Sequence, residues 1–213
     1  MKPLKFATIL LFIFLSTNAK TQNTNSYLVV LSNKSNLTIS GTSNINKFDC
    51  ILEQNFENDT LSIVTQNLGF NTICENAITT FLINKFNCGH EAINRDFKQA
   101  LREEEFPAIS LSVKNIYKPI RLSSNSESNE ITATISLVLA GNKKEYTVGF
   151  KDIDTNPQQL CFSGTKNVKM SDFNIDPPKA LMGLIKTRDD LSISFDLQLI
   201  LIKNTKSTVS SNK

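Results

Sequence analysis

The sequence predicts an all-β protein, either an antiparallel sandwich or an antiparallel barrel, and three observations support this prediction. Apolar and polar residues alternate along most of the chain, turn-forming residues separate the alternating segments, and strands do not alternate regularly with helices. A period of two residues is typical of strands with one wet face and one buried face. About ten such segments with short connections favour an antiparallel architecture over a parallel sheet.

The predicted strands follow one another from residue 27 to residue 199. In the two longest, Ile131–Leu139 and Leu191–Leu199, every second residue is apolar, and Ile109–Val113 and Tyr146–Phe150 repeat the pattern. The shorter candidates are Tyr27–Leu31, Leu37–Gly41, Ile45–Glu53, Leu61–Gln66, Ile78–Phe86 and Leu160–Gly164.

Two segments depart from the alternation and predict one or two short helices. Asn94–Leu101 has apolar residues at helical spacing, and Asn94 is placed to cap its amino end. Pro177–Ile185 begins with two prolines, which suit a first helical turn, and continues with an apolar run. Both are most simply connectors that cover the core.

The amino terminus has the pattern of a signal peptide. Lys2 and Lys5 precede an apolar run from Phe6 to Leu15, which is shorter than the roughly 20 residues needed to span a bilayer, and small residues follow up to Ala19. We therefore predict cleavage after Ala19 and localisation in the periplasm or the medium. The predicted organisation is a signal peptide at 1–19, a lead-in strand at 20–34, one β-barrel domain at 35–202 and a disordered tail at 203–213.

Charge and composition argue against several classes of function. Loss of two lysines with the signal peptide lowers the net charge from +3 to +1, and no basic patch that would bind nucleic acid is present. The single His excludes metal sites built from two or more imidazoles, and the common phosphate-binding glycine motifs are absent. We expect no metal, no catalytic residues and no integral membrane span.

Four cysteines in an exported chain favour two disulfides. Cys50 and Cys88 each follow a pair made of Phe and Asp or Asn, which suggests equivalent positions at one rim. We favour Cys50–Cys88 with Cys74–Cys161, where Cys74 lies in a predicted turn; the two other pairings stay open. A reactive pair of Cys88 with His90 is the functional alternative, and an oxidising compartment disfavours it.

Four segments, taken in order, resemble the YceI-like family of exported bacterial proteins, in the branch found in Bacteroidetes-type organisms. They are Leu37–Cys50, Asn94–Leu101 followed by Glu105–Ile109, Leu139–Gly141 before a Tyr-containing strand, and Ser171–Pro178 leading through Leu181–Lys186 to the last strand. The resemblance covers roughly residues 35–202. The chain departs from better-studied members in its four cysteines, and in Asn44 and Asn46, where those members often have a His-bearing or Gly-rich stretch.

The resemblance implies an extended, lipocalin-like antiparallel barrel of eight strands that holds an isoprenoid chain or a similar amphiphile. The expected function is therefore a non-enzymatic exported binding protein for a lipid-like small molecule, with no cofactor besides that isoprenoid or fatty-acid-like ligand. The alternative is a structural or protein-interaction module whose barrel is fully packed and binds no ligand.

Apolar residues on the predicted inward faces are the candidate ligand-binding residues, because an eight-stranded barrel holds either side chains or one small ligand. In the packed alternative the same residues fill the barrel. Met182 joins them, because residues 173–184 are predicted to fold over a barrel end and gate entry. The candidates are Ile39, Leu61, Ile63, Phe81, Ile83, Leu111, Val113, Ile135, Leu137, Phe162, Met182, Phe195 and Leu197.

Overall fold

The computed structural model describes residues 24–56, 60–68, 71–117, 130–152 and 159–203. The predicted signal peptide and all but the first residue of the predicted tail lie outside these residues. The strands are β1 (Thr24–Leu31), β2 (Asn36–Ser43), β3 (Lys47–Leu52), β4 (Thr60–Leu68), β5 (Asn71–Glu75), β6 (Ile78–Leu82), β7 (Phe86–Asn87), β8 (Ala108–Tyr117), β9 (Glu130–Leu139), β10 (Asn142–Asp152), β11 (Gln159–Lys169), β12 (Lys179–Ala180) and β13 (Ile185–Lys203). One α-helix, α1 (Glu91–Ala100), and three single 3-10 turns, at Ile83–Lys85, Ser171–Phe173 and Leu181–Gly183, complete the described elements.

All strand pairs between described residues are antiparallel, which confirms the predicted class. Hydrogen bonds join the strands in the order β1-β4-β5-β8-β9-β10-β11-β13-β2-β3-β7, and β1 also pairs with β13. The long strand β13 explains this branching. Its first half pairs with β2, its second half pairs with β1 on the same edge, and its other edge pairs with β11.

The alternation that predicted the strands also sets the core face of the sheet. On β9 all the alternating apolar residues from Ile131 to Leu139 are buried. On the neighbouring β8 the register shifts between Val113 and Asn115, which is a β-bulge. The extra residue keeps Ile116 opposite buried Ala133 on the core face, although Ile116 breaks the parity of the earlier apolar positions.

The turn between β9 and β10 contains Leu139–Gly141, one of the segments that resemble the YceI-like family, and its geometry explains the glycine. Its two residues, Ala140 and Gly141, have φ angles of 46° and 77°, as a tight hairpin turn requires. A Cβ atom on Gly141 would also lie 2.5 Å from the ring of Phe106, which covers the turn. Glycine is therefore required here by both backbone conformation and space.

Three local predictions were wrong. Residues 71–75, predicted to hold a turn around Cys74, form β5 between β4 and β8. The predicted second helix is instead a hairpin in which β12 pairs with the start of β13. The first helix begins earlier than predicted, and His90 caps it in place of Asn94.

One of the two predicted disulfides is present. Cys50 on β3 is bonded to Cys88, which follows β7, and both are buried. This bond removes the alternative of a reactive Cys88–His90 pair. The predicted Cys74–Cys161 bridge does not form, because the strand register places Cys74 on the sheet face of buried Val29 and Cys161 on the opposite face. Burial raises the pKa of Cys74 to about 11, so its thiol stays protonated at neutral pH.

Candidate functional site

A cavity of about 410 Å³ lies on the core side of the sheet, beneath α1. This volume is within the range of about 300–1,000 Å³ that is usual for small-molecule sites. Three parts of the chain enclose the cavity: the β2–β3 hairpin, α1, and the segment that leads from β11 into β13. The lining residues are Ile39, Ser43, Ile45, Asn46, Lys47, Phe48, His90, Ala92, Ile93, Asp96, Phe97, Ala100, Leu101, Met170, Ile175, Pro178, Ile185, Thr187 and Leu191.

The floor of the cavity is apolar and buried. Ile39 on β2 and Leu191 on β13 lie on the same face of adjoining strands, since Ile39 pairs with Ile193 and Leu191 pairs with Gly41. Met170 and Ile175 close the floor from the segment after β11, and both are at most 5% exposed. An apolar chain placed on this floor would contact buried apolar side chains.

Helix α1 forms the roof of the cavity and turns its apolar face toward it. Ile93, Phe97 and Ala100 recur at the helical period and line the cavity, while Arg95 and Gln99 are exposed. None of the ten residues of α1, all of which the structure describes, is buried. A strongly amphipathic helix normally buries its apolar face against protein, so this half-buried face leaves apolar surface that a ligand can cover.

Two hydrogen bonds and the disulfide hold the start of α1, and one aromatic contact holds its second half. The side chain of His90 accepts a hydrogen bond from the backbone N–H of Ala92 at 3.2 Å. The side chain of Asn94 accepts one from the backbone N–H of Cys88 at 2.6 Å. Cys88 is in turn joined to β3 by the disulfide, and the ring of Phe97 packs 5.4 Å from that of Phe86 on β7. These contacts fix the helix against β3 and β7, and the cavity extends along the helix from His90 to Leu101.

A 3-10 turn after β11 lies between two lining residues, Met170 and Ile175. The carboxylate of Asp189 on β13 accepts hydrogen bonds from the N–H and hydroxyl of Ser171, at 2.8 and 2.6 Å. These two bonds are the main reason why the pKa of Asp189 lies below its ordinary value. They hold a turn whose Phe173 is fully buried, and this fixes Met170 and Ile175 against the floor.

Phe48 on β3 forms a side wall, and its position depends on a glycine. Gly41 is the partner of Phe48 across β2 and β3, and a Cβ atom on Gly41 would lie 2.3 Å from the tip of the Phe48 ring. The ring can lie over the neighbouring strand only because residue 41 has no side chain.

Gly41→Ala is expected to lower the free energy of unfolding by about 1–3 kcal/mol, because the new methyl group overlaps the Phe48 ring. Gly149→Ala is the matched control, since a Cβ atom on that strand glycine meets no atom within 4 Å. Urea unfolding of both variants measures the difference. Phe48→Leu should relieve the clash, so an equal loss from Gly41→Ala in that background would contradict the explanation.

The rim of the cavity is polar. Lys47 and His90 are exposed, Asp96 is half-buried, and Ser43, Asn46 and Thr187 stand beside them. Asn44 connects the β2–β3 hairpin with the β12–β13 hairpin beside the rim, because its side chain forms hydrogen bonds with the backbone of Leu184 and Lys186. A buried apolar floor with a polar rim suits a molecule that has an apolar chain and a polar end.

Most of the candidate residues predicted from the sequence lie on the core face of the sheet, but few of them line this cavity. Of the candidates whose side chains the structure describes, only Ile39 lines the cavity. Of the others, Phe81, Ile83, Ile135, Leu137 and Phe195 are buried, and Leu111, Val113, Phe162 and Leu197 are partly buried. Leu61 and Ile63 lie on β4, and their side chains are outside the described part. The role of all these candidate residues in ligand binding stays a prediction.

That Met182 folds over a barrel end and gates entry stays a prediction. Its relative exposure is 106%, and it lies outside the lining of the cavity. Phe48, Ile93 and Phe97 are among the lining residues that were not candidates from the sequence. The helical spacing of Phe97, Ala100 and Leu101 was visible in the sequence, but it does not tell whether such a face meets protein or a cavity, and Ile93 lay before the predicted start of the helix.

The described residues were compared with the requirements of a metal site and of a membrane-spanning helix. Within them, no group of three His, Cys, Asp or Glu side chains is arranged to hold a metal ion. No helix in the same residues has the length and apolar character needed to cross a membrane.

Residues 71–199 match the sequence model of the YceI-like domain, which is more than half of the chain. The chain belongs to the YceI-like family. A comparison with curated proteins found no match.

Two solved structures share the fold of this YceI-like chain. The polyisoprenoid binding domain from Saccharophagus degradans, implicated in plant cell wall breakdown, has a TM-score of 0.55 and 10% identity, over 82% of this chain and 98% of that one. BcnA from Burkholderia cenocepacia has a TM-score of 0.51 and 16% identity, over 79% of this chain and 98% of that one. At these identities the likeness concerns the fold.

Proposed function

We propose that this YceI-like protein is a non-enzymatic binding protein that holds the apolar chain of a lipid-like amphiphile beneath α1. The observation that supports this function best is the half-buried apolar face of α1 above a cavity of about 410 Å³. Covering that face with a ligand would remove apolar surface from water at about 25 cal/mol for each Å².

An isoprenoid is the first ligand to test. The family membership supports a lipid-like ligand, and a structural neighbour is described as a polyisoprenoid binding domain. The lipocalin-like barrel of eight strands is part of the same proposal, and the pairing of β1 with both β4 and β13 supports closure of the sheet. Membership of the branch found in Bacteroidetes-type organisms stays a prediction from the four sequence segments.

The alternative of a packed module has one observation in its favour. The ring of Phe150 packs against those of Phe162 and Phe195, with centroid distances of 6.1 and 5.2 Å, and the three rings fill part of the core face. The cavity lies at the other part of this face, where Leu191 and Ile39 form the floor. The cavity favours ligand binding over the packed module.

Export to the periplasm or the medium is part of the proposal. The amino-terminal pattern predicts it, and the Cys50–Cys88 disulfide fits an oxidising compartment. Intact mass of the protein from the exported fraction would test cleavage after Ala19.

Organic extraction of the purified protein, followed by mass spectrometry, tests ligand binding. We expect an amphiphile with an isoprenoid or fatty-acid-like chain in the extract, and uptake of an added isoprenoid quinone by the extracted protein. An empty extract together with no uptake of quinone or fatty acid would contradict the proposal and favour the packed module.

A further inference from the structure

The three most exposed large apolar side chains of the described residues stand on two adjacent hairpins. Met182, Leu184 and Ile45 have relative exposures of 106%, 76% and 59%. Met182 and Leu184 lie in the β12–β13 turn, and Ile45 lies in the β2–β3 turn. We call these three residues the apolar tip. A cluster of such exposure marks an interaction surface more often than single scattered residues do.

The two hairpins are fastened to each other, so the apolar tip is one surface. The side-chain amide of Asn44 donates to the carbonyl of Leu184 at 2.9 Å, and its oxygen accepts from the N–H of Lys186 at 2.8 Å. The backbone N–H of Asn44 also donates to the carbonyl of Lys186 at 3.1 Å. This is a specific role for one of the asparagines at which the sequence departs from better-studied relatives.

The backbone at Met182 is unfavourable for a methionine. Its φ and ψ angles are 55° and 28°, in the left-handed region, where Gly or Asn costs less. Its exposed side chain gains no packing in return. A strained residue without a folding benefit indicates a role outside the folded chain itself.

The charged residues nearest to the apolar tip are basic. Lys179 and Lys186 pair across β12 and β13, one residue pair below the turn, and Lys47 follows Ile45 by two residues. All three lysines are exposed. The acidic residues of β3 and β13 lie further from the turns, and they are Asp49, Asp189, Asp190 and Asp196. Asp176 lies before β12.

The apolar tip also borders the mouth of the cavity. Ile45 and Lys47 line the cavity from the β2–β3 hairpin, and Pro178 and Ile185 line it from the β12–β13 hairpin. Whatever the tip contacts is therefore placed beside the opening.

We propose that the apolar tip docks the protein on a lipid bilayer with anionic head groups. Met182, Leu184 and Ile45 enter the interfacial layer, and the three lysines contact lipid phosphates. The cavity mouth then faces the membrane, which is the source of an amphiphilic ligand. This inference rests on the proposed function, because docking explains how such a ligand enters.

Co-sedimentation with ligand-free vesicles tests docking separately from ligand binding. The protein is recovered from the exported fraction, and its amino terminus is verified by mass so that residues 1–19 make no contribution. We expect binding to phosphatidylcholine vesicles that contain about one-third phosphatidylglycerol, and weaker binding to pure phosphatidylcholine or at high salt.

Matched variants locate the surface. Met182→Asn with Leu184→Ser should weaken vesicle binding at least about tenfold without loss of stability, since Asn suits the left-handed backbone. Ile78→Ser, at an exposed apolar residue of β6, is the control. Lys179→Gln with Lys186→Gln should weaken binding about fivefold for each lysine, whereas Lys34→Gln with Lys85→Gln should have little effect.

Two results would overturn docking: no binding of the unchanged protein to either vesicle, or equal losses in the tip variants and their controls. Normal uptake of a quinone from detergent solution by the same protein would show that the proposed function stands and that only docking is wrong. Absence of uptake together with vesicle binding would show the reverse.

Discussion

Removal of the Cys50–Cys88 disulfide, by Cys50→Ala with Cys88→Ala, is expected to lower the free energy of unfolding by about 4 kcal/mol. The bond closes a loop with a sequence separation of 38, and loop-closure entropy in the unfolded chain gives a value of this size. Such a loss is a large share of the roughly 5–15 kcal/mol that stabilises a typical domain. Urea unfolding followed by circular dichroism measures it.

Reduction of the unchanged protein provides the control. It should cause a similar loss, whereas the same reductant should leave the double alanine variant as it was. Equal stability of the oxidised and reduced unchanged protein would contradict a stabilising disulfide.

The disulfide also links stability to the candidate site, because Cys88 precedes the cap residue of α1. Without the bond, the helix keeps its His90 cap and the Phe97–Phe86 contact but loses its covalent attachment to β3. We therefore expect ligand affinity to fall together with stability.

The strands were predictable because each buries one face. Segments such as Ile131–Leu139 carry this signal in full, since every second residue packs in the core. β5 was missed because Asn71–Glu75 is short and polar at both ends. Its pairing with β4 and β8 makes it a strand, and such long-range pairing leaves little trace in five residues.

The hairpin of β12 and β13 shows a different failure. Two prolines before an apolar run fit the start of a helix, but they fit an extended segment equally well. The segment forms a hairpin in the structure, since Lys179 pairs with Lys186. Met182 and Gly183 in its turn have positive φ angles. Neither feature follows from local preference, because Met is not a residue that favours such a turn.

The cavity could not be predicted, since it depends on how three distant segments meet. The apolar positions of α1 were visible, and they were interpreted as a cover for the core. Whether Ile93 and Phe97 meet protein or empty space depends on the Phe48 wall and on the turn held by Asp189. The sequence therefore predicts which face of the sheet is buried, but it does not predict where a cavity remains on that face.

Filling the cavity from α1 is the decisive test of the site. Ala100→Phe places a ring in the cavity, and displacing about two methylene groups of a bound chain would cost about 1.6 kcal/mol, or roughly 15-fold in Kd. Stability should hold or rise, because the ring covers apolar surface that is now half-exposed. Fluorescence titration with a polyene fatty acid measures the affinity.

Gln99→Phe is the matched control, since it introduces the same side chain one residue earlier, at an exposed position outside the cavity. It should leave the Kd unchanged. If Ala100→Phe binds the probe normally while Val113→Phe, at a predicted barrel residue, abolishes binding, the ligand lies against the strands and not beneath α1. A loss with Ala100→Phe alone locates the ligand under the helix, because Ala100 lines the cavity and Gln99 and Val113 do not.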